Sequence, residues 1–334
     1  MPKYMIMLLC LLLLPAAALA SSQTDVPKVM VINSYHAASP WVTGHNAALK
    51  ASLTNSTQLI FFDMNTKRLP KSLHQAQAAR ARAAIEKERP DLLVLTDDYA
   101  LKSLGNVAAQ MHIPVVFLGI NNNPRTYLDS MMLATGVLER PLLKRSIVYI
   151  REILGSSFKS CLVLFDDDIT AQTILEQVFK KKHSLVFDET VTDIKLLSRF
   201  EDWKQSVMNA KKEGYGAIIL GLYHTLVDDR GRHVDDEQVA RWTSKHSPVP
   251  VFGFWDFSVG KGLAMGGLTL DSEPQGREAA KLVRRILNGQ SPRTIQPVMA
   301  EQGHFIFSLH ELKRWGITLP EYFDNPTLDI TFVE

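Results

Sequence analysis

Short unbroken apolar runs separated by helix-length polar stretches constrain this chain more than any other feature. The first reads Lys28-Val29-Met30-Val31-Ile32-Asn33 and gives way abruptly to Ser34-Tyr35-His36 and, after Ala37-Ala38-Ser39-Pro40, to Trp41. A strand buried on both faces reads as a continuous apolar run. Its alternation with helical stretches is the pattern of βαβ units around a parallel sheet. Ligands of such sheets collect beyond the carboxyl ends of the strands, where this chain sets hydrogen-bonding and aromatic side chains.

The pattern predicts an α/β fold in two copies. Strands are expected at 29–33, 58–62, 92–96 and 115–119, then at 160–165, 184–189, 217–221 and 249–254. Helices are expected at 42–53, 73–87, 100–110, 142–154, 170–181, 199–212, 235–245, 275–287 and 309–315. A length of 334 residues suits two domains. We read them as two lobes, 27–135 plus 268–295 and 136–267 plus 296–334, each a mostly parallel sheet flanked by helices. Three hinge crossings, at 134–137, 260–267 and 297–301, would join them around a cleft that closes by hinge motion. One continuous large sheet is the alternative.

Residues 1–20 have the layout of a secretory signal: Lys3, an apolar core from Met5 to Leu14, Pro15, and Ala18-Leu19-Ala20 before Ser21. Cleavage after Ala20 is expected, and the apolar run is shorter than the about 20 residues of a membrane span. A retained anchor is the alternative. No second apolar run of that length follows, so the mature chain is expected to carry no transmembrane segment. Of two cysteines, Cys10 leaves with the signal and Cys161 opens an apolar run, so it is expected to be a buried core residue. A formal charge of +2 is unlike a nucleic-acid surface.

If the strands hold, the first lobe presents Ser34, Tyr35, His36 and Trp41, then Thr66, then Thr96 and Asp97, then Asn121, at successive strand ends. The second presents Asp166, Tyr223, Trp255 and Asp256, and Glu139 follows the first crossing. Hydroxyls, amides, a few carboxylates and aromatic faces suit a small polar or zwitterionic molecule with an apolar part, such as an amino acid or amine. In this reading the aromatics stack, Asp97 or Asp256 pairs with a cationic group, and Asn121 hydrogen-bonds. One of Asp97 and Asp98 is expected to cap the helix that follows. Asp166-Asp167-Asp168 lacks the alternation and glycine of a calcium loop, which favours capping plus a ligand or lobe-closure contact. The stretch 228–237 reads as an exposed loop leading into a helix. There is no Gly-x-Ser-x-Gly, His-Glu-x-x-His, phosphate-binding glycine loop or dinucleotide fingerprint. Neither catalytic residues nor a metal or cofactor are therefore expected. A secreted hydrolase and a ligand-free interaction module are the other classes.

Several of these segments also resemble the ABC-transporter substrate-binding protein family of the type I periplasmic fold. They are Val31-Ile32-Asn33-Ser34-Tyr35-His36 with Trp41, Asp63-Met64-Asn65-Thr66-Lys67-Arg68, 91–100, 114–121 and Thr135-Gly136-Val137-Leu138-Glu139. The second half agrees through Asp229-Arg230-Gly231, 250–256, Gly266-Gly267, Gln275-Gly276-Arg277-Glu278-Ala279-Ala280 and 312–319. More narrowly, the chain resembles the branch whose domains also form extracytoplasmic sensor regions of histidine kinases and cyclic-dinucleotide enzymes. Where that branch usually carries Pro-Gly in its first loop, this chain has Ala37-Ala38-Ser39-Pro40. The resemblance implies a periplasmic protein whose lobes close on a small organic molecule and then dock to an inner-membrane permease, or to a sensor kinase or diguanylate cyclase.

Overall fold

A computed structural model describes residues 26–300 and 303–334. The expected signal segment, Cys10 and the end of the third expected crossing lie outside the described residues. Five segments near the start of the chain, β1 (Lys28–Asn33), β2 (Gln58–Asp63), β3 (Leu92–Thr96), β4 (Val115–Ile120) and β5 (Ala134–Leu138), alternate with α1 (Pro40–Leu53), α2 (Lys71–Glu88) and α3 (Asp97–Gln110). The strands β3 and β4 are buried at every position, because helices cover both faces of their sheet.

The chain continues through α4 (Leu143–Leu154), β6 (Ser160–Asp166), α5 (Ile169–Gln177), β7 (Ser184–Phe187), β8 (Thr190–Leu197), α6 (Phe200–Asn209), β9 (Ala217–Leu220), α7 (Asp236–His246) and β10 (Val251–Gly253). It ends with β11 (Gly266–Thr269), α8 (Ser272–Leu287), β12 (Val298–Met299), β13 (His304–Ser308), α9 (Leu309–Trp315) and β14 (Ile330–Val333).

Two main sheets result. One has the order β12-β5-β4-β3-β1-β2, parallel throughout. The other has the order β10-β9-β6-β8-β7, parallel except for β7. In each, the first strand in sequence sends its successors to opposite sides, so the order reverses between β1 and β3 and between β6 and β9. Such a reversal opens a crevice at the strands' carboxyl ends. A third sheet, β11-β13-β14, gathers the ends of the second half.

Three local features differ from the sequence reading. The stretch 134–137 is a strand, as a crossing through ordinary strands requires, but it pairs within the first sheet, so the chain leaves that sheet only after Leu138. The expected strand at 184–189 is the first arm and turn of a hairpin, and its second arm β8 is longer and lies inside the sheet between β7 and β6. The glycine-rich 260–267 stretch ends in β11, and the chain returns to the first sheet only afterwards, at α8 and β12. There α8 lies against α1 so closely that a Cβ on Gly276 would sit 2.5 Å from the His45 carbonyl oxygen. Cys161 is buried in β6 with its thiol pushed up to about 12 by burial.

Candidate functional site

The loop after β1 is pinned before it can present anything. Ser34 Oγ donates to the Thr96 carbonyl at 2.9 Å and accepts from the Ala100 amide at 3.0 Å. Thr66 Oγ1 donates to the Ser34 carbonyl at 2.9 Å, and Thr96 Oγ1 donates to Asn33 Oδ1 at 3.1 Å. These three hydroxyls lie at the expected strand ends, but their bonds hold neighbouring loops in register. The side chain left facing the second lobe is Tyr35, which meets His224 edge-on with ring centroids 5.2 Å apart.

At the start of α3 the two acids divide their work. Asp98 accepts the amides of Asn121 and Asn122, both at 3.0 Å, and so ties the end of β4 to α3. Asp97 adopts φ +72°, a left-handed conformation that is strained for a residue with a Cβ. Its Oδ1 accepts the Asp98 amide at 2.6 Å, and its Oδ2 lies 2.9 Å from Lys67 Nζ. Lys67 also reaches Asp168 at 2.5 Å, and its ammonium sits 4.8 Å from the centroid of the Tyr35 ring. Burial alone would lower the Lys67 pKa, but Asp168 and Asp97 outweigh burial and hold it well above its ordinary range. Burial raises Asp97, whereas for Asp168 the ammonium wins over burial and lowers the carboxyl. This triad joins the loop after β2 and the start of α3 to the start of α5 in the second lobe. Of the capping plus ligand or lobe-closure contact expected of the acid triplet, Asp168 stands at the N-cap of α5 but makes no side-chain cap bond, and its carboxylate instead crosses to Lys67.

A second junction forms where β5 ends. Glu139 Oε1 accepts the Trp255 indole N–H at 2.8 Å, and Asn121 also hydrogen-bonds to this carboxyl. Burial lifts Glu139 to about 8, against the pull of these bonds. Trp255 stacks on Phe257 at 6.3 Å, and Phe257 meets Trp41 edge-on at 6.4 Å. Gly119, at φ +68°, passes under this group, where a Cβ would come 3.3 Å from Glu139 Oε2.

Tyr35, Trp41, Asp97, Asn121, Glu139 and Trp255, with Gly119, Thr170, Leu222 and Phe257, line one slit of about 10 Å³ between the two reversal points. That is room for about one water molecule. Asn121 Oδ1 is buried there with no hydrogen-bond partner. Asp166 lies nearby at the end of β6: Oδ2 accepts the Thr225 amide at 3.0 Å and Oδ1 has no partner. Burial, then Asp168, raise its carboxyl to about 6.

The remaining expected residues stand apart. His36 and Tyr223 line a neighbouring pocket of about 250 Å³ with Arg68 and Asp236. Asp256 turns back to accept the Phe257 amide at 2.8 Å, and burial, aided by Asp271, raises it to about 7. Sequence reasoning missed Lys67, Phe257, Leu222 and Gly119. Lys67 shared the strand-end position that marked the others, but its partner Asp168 is 101 residues away in the chain.

Comparison with known proteins agrees with this geometry. No curated protein matches the chain. A conserved domain protein from Vibrio cholerae superposes with TM-score 0.68 at 18% identity, over 93% of this chain and all (100%) of that one. An ABC domain from Streptococcus pneumoniae in complex with L-Trp gives 0.68 at 14% identity, over 92% and 99%. A substrate binding protein with adhesive properties from Clostridium difficile, in its ligand-free open structure, gives 0.61 at 12% identity, over 92% and 99%. These likenesses establish the two-lobed type I periplasmic-binding-protein-like fold. Substrate-binding proteins of ABC transporters bind small organic ligands, are typically extracytoplasmic and work with ABC permeases; no helix among the described residues is long and apolar enough to cross a membrane. The family described as ABC transporter substrate binding protein matches residues 28–325, nearly the whole described chain, and the protein belongs to that family.

Proposed function

We propose that the protein captures a small organic amine or amino acid between its lobes, in the periplasm, and presents it to an inner-membrane ABC permease. One observation carries this reading. Buried acceptors, Asn121 Oδ1 without a partner and the carboxyls of Asp97 and Glu139, face the aromatic rings of Tyr35, Trp41, Trp255 and Phe257. Acidic groups and amide oxygens receive an ammonium, and the rings receive an apolar body. The L-Trp complex of the streptococcal neighbour is consistent with that chemistry. The group is assembled for binding: it has no nucleophile paired with a base, so turnover is not part of the proposal.

Lobe opening is required for entry, because a slit of about 10 Å³ admits no organic molecule. The test is a thermal-shift screen of amino acids and amines on the exported protein. A ligand at a hundred times its dissociation constant adds about 2.7 kcal/mol of stability. The shift is expected to vanish in Trp255→Ala and Asp97→Asn. A screen with no shift, or a shift that survives both substitutions, overturns the reading. Co-purification with a permease, as against a sensor kinase or diguanylate cyclase, decides which partner receives the closed form.

A further inference from the structure

Outside the slit, beyond the Lys67 ion pairs, a second and larger cavity opens between the lobes. Its volume is about 310 Å³, within the roughly 300–1,000 Å³ usual for small-molecule sites. One wall is residues 66–71 with His74, at the start of α2. The other is contributed by 168, 198, 225, 227, 231 and 233. The walls are basic: Lys67, Arg68 and Lys71 stand against the single carboxylate Asp168, which Lys67 already neutralises.

Two of these donors are under-used. Lys71 Nζ donates to a neutral acceptor, the Asp167 carbonyl at 3.0 Å, and among the described residues it makes no ion pair. Arg68 meets Asp236 and Asp235 only at 3.5 and 3.8 Å, and its Nε is buried with no partner. Opposite, His233 Nε2 is also buried with no partner. The helix behind Lys71 has no acid in its first turn and no side-chain cap, so its positive end is uncompensated. A buried polar nitrogen without a partner costs free energy; Arg68 Nε and His233 Nε2 are two such atoms lining this cavity, and with the exposed Lys71 ammonium at its rim they are what an anion would engage. A metal does not suit the place, since among the described residues no His, Cys, Asp or Glu group is disposed to hold one.

We infer that this cavity is an anion site, taking the carboxylate or phosphate of a small organic anion between Lys71, Arg68 and His233. Because its walls come from both lobes, the anion binds the closed form and favours closure. By linkage it tightens the central slit by the same factor as the slit's ligand tightens it. The inference does not depend on what the slit binds.

The test is calorimetry on the exported protein with inorganic phosphate and with succinate as probes, at about 0.15 M ionic strength so that screening removes diffuse attraction. We expect saturable binding of at least one probe at a single site, weakened roughly tenfold or more by Lys71→Ala and by His233→Ala. Lys87→Ala, an exposed change at the far end of the same helix, is expected to leave it unaltered. Lys71→Gln provides a second variant with nearly the native side-chain volume. Absence of saturable binding by both probes up to about 10 mM overturns the inference. So does binding that both Lys71 variants leave unchanged, which would mark an adventitious ion only.

Discussion

Replacing Lys67 by methionine tests the closed arrangement directly. The substitution keeps most of the side-chain volume over Tyr35 and removes the charge that lies 2.9 Å from Asp97 and 2.5 Å from Asp168. Both carboxylates are then left in a site where Lys67 was 4% exposed. Stranding a buried charge by deleting its partner costs about 3–5 kcal/mol. Lobe separation hydrates Asp97 and Asp168 and relieves that cost, so it falls on closure and not on the folding of either lobe. At about 1.4 kcal/mol per factor of ten, the closed-to-open ratio drops roughly 10²- to 10³-fold.

Small-angle scattering of Lys67→Met at pH 7 is therefore expected to give a larger radius of gyration than the wild type, while urea unfolding changes little. Acidification restores closure, because protonating Asp97 and Asp168 removes the stranded charges. Adding Asp168→Asn to Lys67→Met restores part of the closure at pH 7. An unchanged scattering curve for Lys67→Met would refute the reasoning. It would mean that the triad contributes nothing to holding the lobes together.

Glu139 gives a pH-dependent prediction. A carboxyl raised in the fold holds its proton more tightly than in the unfolded chain, so its contribution is complete below 4.5 and is lost as pH climbs through about 8. Each unit of the shift is about 1.4 kcal/mol. Urea midpoints of the wild type are expected to fall across that window, and Glu139→Gln, which keeps an acceptor for Trp255, is expected to flatten the fall; an equal slope in both would contradict the assignment. Gly119→Ala should cost about 1–2 kcal/mol, from its φ of +68° and its closeness to Glu139, read as a lower denaturation midpoint. Gly276→Ala should cost about 1–3 kcal/mol by forcing α1 and α8 apart, because the atom it meets is backbone.

Burial on two faces is why most of the fold was legible. The strands β1, β3, β4, β6 and β9 are unbroken apolar runs because helices leave them no polar face. The long strand β8 escaped notice because its burial alternates, with Val191 exposed and Asp193 and Lys195 half-buried. Its turn was equally hidden. Asp188 and Glu189 both take positive φ, 46° and 62°, as a two-residue hairpin requires, without the Asn-Gly or Asp-Gly pair that would announce it. In the site, position at a strand end was readable from sequence, but the direction of each side chain was not. Ser34 and Tyr35 are adjacent, yet one ties down a loop and the other faces the opposite lobe. The role of Lys67 exists only once Asp168 arrives across the cleft.

The smallness of the slit has a consequence for affinity. Phe257 packs against both Trp41 and Trp255, and Glu139 accepts from Trp255, so the closed protein already satisfies groups that a ligand would have to engage. Opening and refilling the cleft exchanges these contacts for contacts with the ligand, and only the difference between the two sets favours the bound form. Asn121 Oδ1 is the exception. It has no partner to give up, so a donor placed against it gains a hydrogen bond without breaking one. Discrimination between ligands of similar size is accordingly concentrated on the group that reaches Asn121, while the aromatic rings set a threshold of apolar area that any ligand must exceed.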